Sequence, residues 1–343
     1  MRMKVSINKF AGEARQRVTG FACKAAVLAG RGVLDRQETT DWLSTRGLPP
    51  VAGSVGVLPA STRPSILKWG VVRAMGRQCL DFDYGARSAL LGWVGVSVRC
   101  ENAAAVWSHP WMGYYHWMID VAPKIALFQS HLGNELDGWK LCYPRTGERY
   151  EIETLEMLGV PGDAIMDTRQ IRTVEASQVA YCRLPGWYEI QTAAMILRER
   201  ILGLISPRSG QRRIYLSRCG RRKCTNENEV FAALRERKFE FVEDIPRSVE
   251  EQIRIFGSAG VVVAPHGAAL TNLLWCRKGT KVVEMFHPNY RPIYYERLSE
   301  FVGLDYVGLC ADSGRWQHWS AMNEDMSVDV RGLLQQLDIM GIT

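Results

Sequence analysis

Apolar runs are short in this chain. None of its 343 residues belongs to a stretch approaching the roughly 18 consecutive apolar positions that cross a bilayer, so no membrane span is expected. Met1-Arg-Met-Lys4 opens a polar, basic segment with too little apolar character for the core of a secretory leader. Nine cysteines are present, an odd number with no C-x-x-C pair. Without a leader, that count argues for free thiols in a reducing cytosol and against a disulfide frame or a zinc site. No G-x-G-x-x-G opens a helix after a strand, which counts against NAD, and no G-x-x-x-x-G-K-[ST] is there to bind a nucleoside triphosphate. Internal repeats and low-complexity tracts are missing too. What remains is a chain with 47% hydrophobic residues, long enough to bury two cores. Its net charge of +7 suits anionic ligands and an anionic membrane face.

The most informative stretch runs from Gly260 to Trp275. Val261 to Ala264 form a β-branched run suited to a covered parallel strand, and Gly267, Ala268 and Ala269 let a ligand approach the backbone where the next helix begins. The first turn of a helix has free N–H groups and the positive end of the dipole, which suits phosphate. His266 adds a side-chain donor. Taken alone, the turn reads equally well as a tight connection capped by an imidazole.

Strands and helices alternate around it from about residue 212 to 310. Arg213 to Ser217, Phe239 to Glu243, Lys281 to Phe286 and Tyr306 to Leu309 read as strands. Asn226 with an acidic Glu229 opens one helix, and Ser248-Val-Glu-Glu251 is a capping box opening another. This is the pattern of a doubly wound, Rossmann-like half, in which ligands sit beyond the carboxyl ends of the strands. Three groups fall there. They are the loop Arg218 to Lys223, with four cationic side chains in six residues, the His266 turn, and Glu284 near a strand end. Guanidinium groups bind phosphate in a fork, the turn can cradle it, and a carboxylate can accept both hydroxyls of a ribose. Together they suggest a nucleoside diphosphate site. A solvated arginine loop and a strand-end salt bridge at Glu284 are the plainer alternatives.

A second constellation lies in Trp107 to Lys124, where Trp107, His109, Trp111, Tyr114, Tyr115 and Trp117 surround a helical pattern that begins near Gly113 and is expected to kink at Pro123. His116 and Asp120 are spaced i, i+4 on one face. A carboxylate beside an imidazole fixes its tautomer and raises its basicity, which makes a general base for a hydroxyl. The aromatics offer flat apolar faces for sugar rings. A structural ion pair in an aromatic core accounts for the same residues.

The order of Tyr115-His116-Trp117-x-x-Asp120-x-x-Pro123-Lys124, then Ile214-Tyr-Leu-Ser-Arg218, Arg222 and Asn226-Glu227, then His266-Gly-Ala-Ala-Leu-Thr-Asn272 and Val283-Glu284 resembles glycosyltransferase family 61. The resemblance spans about residues 105 to 290. It implies an α/β fold of two Rossmann-like domains facing a cleft (GT-B type), a nucleotide-sugar donor, UDP-linked above all, and inversion at the anomeric carbon. By position it assigns Arg218, Arg222, Asn226, Glu227, His266, Gly267, Ala268, Ala269, Thr271, Asn272 and Glu284 to the donor, and His116 and Asp120 to the acceptor. Ala269 stands where the family commonly has Gly, and Lys124 replaces a usual Arg, so an anion contact there would not be forked. Secretory relatives carry an anchor or signal that is not seen here, which favours a bacterial-type cytoplasmic enzyme, peripheral at most to the inner membrane face.

The expected organisation is an acceptor-side domain at 1–205, a nucleotide-sugar domain at 206–315 after the linker Ser206 to Gly210, and a segment at 316–343 crossing back onto the first domain. Leu48 to Pro64 reads as connecting loop and Ala89 to Arg99 as strand-like. Asp81-Phe-Asp83 imitates a metal-binding D-x-D motif, but acids one apart are frequent by chance, and arginines with a helix dipole can stabilise the leaving group instead. No metal and no cofactor is therefore expected. The expected function is transfer of a sugar to a hydroxyl of a glycan or lipid-linked glycan, as in surface or capsular polysaccharide synthesis. A non-catalytic binder of nucleic acid or anionic glycan and a nucleotide-sugar epimerase are the alternatives. Nucleic acid fits poorly, because the basic cluster lies a hundred residues from the aromatics that would stack on bases.

Overall fold

The computed structural model describes residues 33–34, 55–67, 70–79, 95–106, 113–134, 136–182, 187–205, 210–310 and 319–343. They divide into two compact units, unit 1 comprising Met1–Met112, His116–Glu151 and Leu155–Leu197, and unit 2 comprising Gly113–Tyr115, Ile152–Thr154 and Arg198–Thr343. The Asp81/Asp83 pair, His109 with Trp107 and Trp111, and most of the Ser206 to Gly210 linker lie outside the described residues.

Unit 1 holds a mixed sheet of nine strands: β1 (Val33–Leu34), β2 (Val55–Leu58), β3 (Ser65–Leu67), β4 (Val71–Ala74), β5 (Arg77–Cys79), β6 (Val96–Ala105), β7 (Trp139–Tyr143), β8 (Ile165–Asp167) and β9 (Ile171–Cys182). β6 pairs in parallel with β7 and β9, while β2 and β3 pair antiparallel with β9. Alternation sorts the side chains by face. Ile66, paired with Val72 and Val174, lies in a core with Leu58, Ala103 and Val179. The alternate positions form the row Arg73, Ser65, Glu175, Arg99 across β4, β3, β9 and β6.

β2 falls inside the expected loop at 48–64. Proline and glycine on either side hide it, but Val55–Leu58 alternates and pairs with the end of β9. Gly56 is required there because a Cβ would meet the Tyr181 ring at 2.6 Å. Of the strand-like stretch 89–99, residues 89–94 lie outside the described residues, and the rest opens β6, which runs past the expected end to Ala105.

Pro123 does not end its helix. α1 begins with an α turn (Tyr114–His116), widens into a π segment (Trp117–Val121) and continues as α-helix (Ala122–Leu132). A proline lacks the N–H and collides with the carbonyl four residues back, and the wider turn just before it relieves that conflict. α2 (Arg149–Met157) and α3 (Trp187–Leu204) follow, α3 passing from unit 1 into unit 2.

Unit 2 is a parallel sheet of β10 (Arg212–Leu216), β11 (Phe239–Val242), β12 (Ala259–Pro265), β13 (Lys281–Met285) and β14 (Asp305–Leu309), in the order β11-β10-β12-β13-β14. This is the doubly wound 2-1-3-4-5 arrangement, with its switch point between β10 and β12. The helices are α4 (Glu227–Glu236), α5 (Val249–Gly257), α6 (Tyr294–Val302) and α7 (Val330–Ile339). The Ser248 side chain accepts from the Glu251 N–H at 3.1 Å, as the capping box predicts. The connection after β12 is a 3₁₀ helix (Ala268–Trp275). α7 does not cross back: Leu333 and Leu337 enter the core of unit 2 beside Val230, Leu234 and Phe239. Burying those two leucines contributes about 1.5–3 kcal/mol each, which fixes the terminal segment to this unit.

Candidate functional site

In unit 2 the sheet's switch point brings the expected donor residues together from two loops. Arg218 follows β10 and His266 and Gly267 follow β12, and β10 and β12 are neighbours. Contact is direct: a Cβ on Gly267 would overlap the Arg218 guanidinium. Gly267 is extended, with φ −179°, so its role is to leave room and not to permit a special backbone angle.

The arginine loop is not a solvated tether. Asp244 accepts from the Cys219 N–H at 2.7 Å, Asn323 from Arg221 at 2.9 Å, Asp325 from the Lys223 N–H at 3.1 Å, and Arg218 Nε donates to the Arg221 carbonyl. Arg222 occupies the left-handed region at φ 60° and is buried, 8% exposed. One of its guanidinium nitrogens donates to the Met322 carbonyl, Nε has no partner among the described residues, and the group lies 5.7 Å from the centre of the Tyr290 ring. No carboxylate among the described residues pairs with it at salt-bridge distance. Burial, reinforced by Arg218, lowers the Arg222 pKa to about 10, and burial also lowers that of Arg218. Two adjacent cations desolvated without a counter-carboxylate favour an anion.

His266 is buried, its Nδ1 2.5 Å from Glu284 Oε1. Tyr306 donates to the other Glu284 oxygen at 2.6 Å. Glu284 is fully buried, so both its oxygens serve protein partners, which differs from the ribose contact expected of it. Register explains the arrangement: Glu284 pairs across to Gly308, and Tyr306 sits diagonally two residues away on the same face. Phe286, Tyr290 and Tyr295 surround the imidazole at 5.4–5.6 Å. The pair directs Nε2 away from the carboxylate.

The remaining expected donor residues divide. Ala268 is exposed and Ala269 half-buried, at the start of the 3₁₀ helix where N–H groups lack intrahelical partners. Thr271 and Asn272 are buried: Thr271 meets the Tyr295 hydroxyl, and Asn272 accepts from Tyr114 at 2.6 Å and from Trp275, and donates to Gln252. Asn226 makes no capping bond to α4. Its amide instead brackets Val328, accepting from the N–H and donating to the carbonyl at 2.9 Å each, and Glu227 accepts from Tyr215 and Ser217. These side chains hold loops in place.

In unit 1, His116 Nδ1 lies 2.7 Å from Asp120 Oδ2, across the α-to-π junction of α1, with side chains 26% and 10% exposed. Lys124, one turn on, is fully buried. Sequence reasoning missed Tyr290, Tyr306 and the Met322–Met326 segment that fixes the arginine loop. Only Tyr306 had a signal, the alternation of β14 opposite Glu284. Among the described residues there is no cluster of three or more His, Cys, Asp or Glu side chains arranged for a metal, and no helix long and apolar enough to cross a membrane.

Residues 114–283 match the sequence model of the family Glycosyltransferase 61. The match, over just under half of the chain, supports assignment of this segment to glycosyltransferase family 61. The matched residues begin at Tyr114 and so take in the His116–Asp120 pair, the arginine loop and the His266 turn. Family membership indicates a glycosyltransferase, acting on a donor and an acceptor glycan. No curated protein matches the chain.

Proposed function

We propose that this glycosyltransferase inverts the anomeric centre as it moves a sugar from a nucleoside diphosphate donor, UDP-linked above all, to a hydroxyl of a surface glycan. The observation carrying the donor half is the pair Arg218, half-buried against Gly267, and Arg222, buried and close enough for Arg218 to disfavour its charge, with no carboxylate among the described residues at salt-bridge distance. A diphosphate supplies the missing anion. The Ala268 and Ala269 N–H groups add donors, and His266 Nε2 adds another when the ring carries both protons with Glu284 as its counter-charge, so the charge developing on the leaving phosphate is met by groups already in place. Glu284 and Tyr306 position His266 and make no contact with donor. In unit 1, His116 removes the acceptor proton and Asp120 orients its ring. The two-domain GT-B scheme of the resemblance agrees with this division of labour. The leaving group needs no metal in this reading.

Calorimetric titration of the purified chain with UDP, with and without EDTA, tests the reading. Binding that survives chelation and weakens in Arg222→Ala supports it. Complete loss of binding in EDTA would sink the metal-free reading, and absence of binding in both conditions would sink the donor site. We further propose a cytoplasmic location with loose attachment to the inner membrane face. Cell fractionation should find the protein soluble, with a membrane-bound share released by salt.

A further inference from the structure

Unit 1 has a second concave surface on the face of its sheet opposite the core. It is a cleft of about 980 Å³ in which Arg63, Arg73, Arg99 and Arg172 converge around a single acid, Glu175. The register explains why they meet. Arg73, Ser65, Glu175 and Arg99 form one row across four strands, and Leu67, Thr173 and Ser97 form the next row on the same side. The register shift after Val96 brings Arg172 to the same face, where it donates to Ser97 at 3.2 Å. Glu175 binds Arg99 at 2.8 Å, with the arginine side chain 86% exposed. Four cations and one anion leave an excess of three positive charges.

We propose that this cleft binds an acidic polysaccharide, a chain of carboxylate-bearing sugars. Arg73 and Arg99 stand three strands apart, roughly 14 Å, so their charges match anions distributed along a chain and not a single phosphate. Between them lie hydroxyl side chains, Ser65, Ser97 and Thr173, suited to sugar hydroxyls. Among the described residues no aromatic ring lines the cleft to stack on nucleobases, and the one large apolar side chain that does, Leu67, gives a bilayer little to bury. Guanidinium forks are suited to carboxylates. The cleft holds no expected donor residue and neither His116 nor Asp120, so it serves to retain a glycan chain and has no part in the transfer step.

Calorimetry on the full chain with a polygalacturonate decasaccharide tests this, beside the carboxyl-reduced form of the same oligosaccharide, an oligothymidylate of equal charge, and phosphatidylglycerol vesicles. The uronate chain should bind and the reduced chain should not, with affinity falling as salt rises. Arg73→Ala and Arg172→Ala should each weaken binding about two- to fivefold, and together about tenfold, the range for exposed charge contacts. UDP binding and the thermal midpoint should stay unchanged, which separates this result from any failure at the donor site. The inference is overturned if the uronate chain does not bind, if the reduced chain binds as well, if the oligothymidylate or the vesicles bind more tightly, or if the double variant binds like the parent.

Discussion

Two of the histidine–carboxylate pairs among the described residues, the shorter ones, stand in different surroundings. His266–Glu284 is sealed, its side chains 6% and 0% exposed, and the carboxylate is committed a second time to Tyr306. His116–Asp120 is more open at 26% and 10%. A sealed carboxylate fixes a ring and cannot meet a substrate, whereas a partly open pair can meet an incoming hydroxyl. In the function proposed above, the same two side-chain types take different work from their burial, positioning in unit 2 and proton transfer in unit 1.

The largest effect that could break this comparison is on His116. His116→Ala should lower sugar transfer by about 10²–10⁴, the range for lost acid–base catalysis, with UDP binding nearly unchanged. Asp120→Asn should fall between that variant and the parent. If Asp120→Asn is the more damaging, the carboxylate is the base, and normal rates in both would make the pair structural. Next comes Arg222. Arg222→Ala should weaken UDP binding by about 1.5–3 kcal/mol by calorimetry, yet leave the ligand-free thermal midpoint undiminished, because it removes a desolvated cation with no opposing charge. A clear drop in that midpoint would make Arg222 structural. Arg218→Ala should weaken binding over the same range. UDP affinity should also decline as pH rises through about 10, where Arg222 loses the charge that holds the diphosphate. The sign for stability is opposite: a cation whose folded pKa is depressed opposes folding most at lower pH, and that cost fades as pH climbs past the folded value.

The sealed pair answers to stability. Glu284→Gln should lower unfolding free energy by about 1–3 kcal/mol in urea titrations, since the imidazole and the Tyr306 hydroxyl lose their shared acceptor. A neutral result would mean the pair is not the brace its burial suggests. Smallest is Gly267→Ala. Its backbone angle suits any residue, so the fold should persist, but the added methyl must push the Arg218 guanidinium aside and weaken UDP binding several-fold. Unchanged affinity would show that Arg218 binds from some other position.

Unit 2 was far more legible than unit 1, for physical reasons. Its central strands β12 and β13 are covered on both faces, so Val261 to Ala264 and Lys281 to Phe286 stand out as apolar blocks between helices. Short antiparallel strands such as β2, four residues long with a glycine inside, leave almost no periodic trace. The motif block His266 to Asn272 was visible, but its split into exposed backbone and buried braces was not, because one string of small and polar residues encodes both. The second partner of Glu284, Tyr306, lies over twenty residues away. The π segment was hidden by Pro123, which reads as a break wherever its helix has not already widened.

That widened turn makes the length of α1 a quantity the protein cannot vary freely. It accommodates one more residue than an α-helix would over the same rise. A chain lacking Val121 could wind as ordinary α-helix and keep the four-residue spacing of His116 and Asp120. Asp120, inside the widened turn, would then swing by most of the roughly 100° that one residue turns relative to the buried stripe of Ile125 and Phe128, while His116 would nearly keep its phase, and the Met118 carbonyl, now four residues before Pro123, would face that ring. Single-residue deletion should therefore abolish transfer where conservative substitution at Val121 does not, even if circular dichroism reports as much helix as before. A deletion variant that still transfers sugar would mean that the angular phase of this helix is not under constraint.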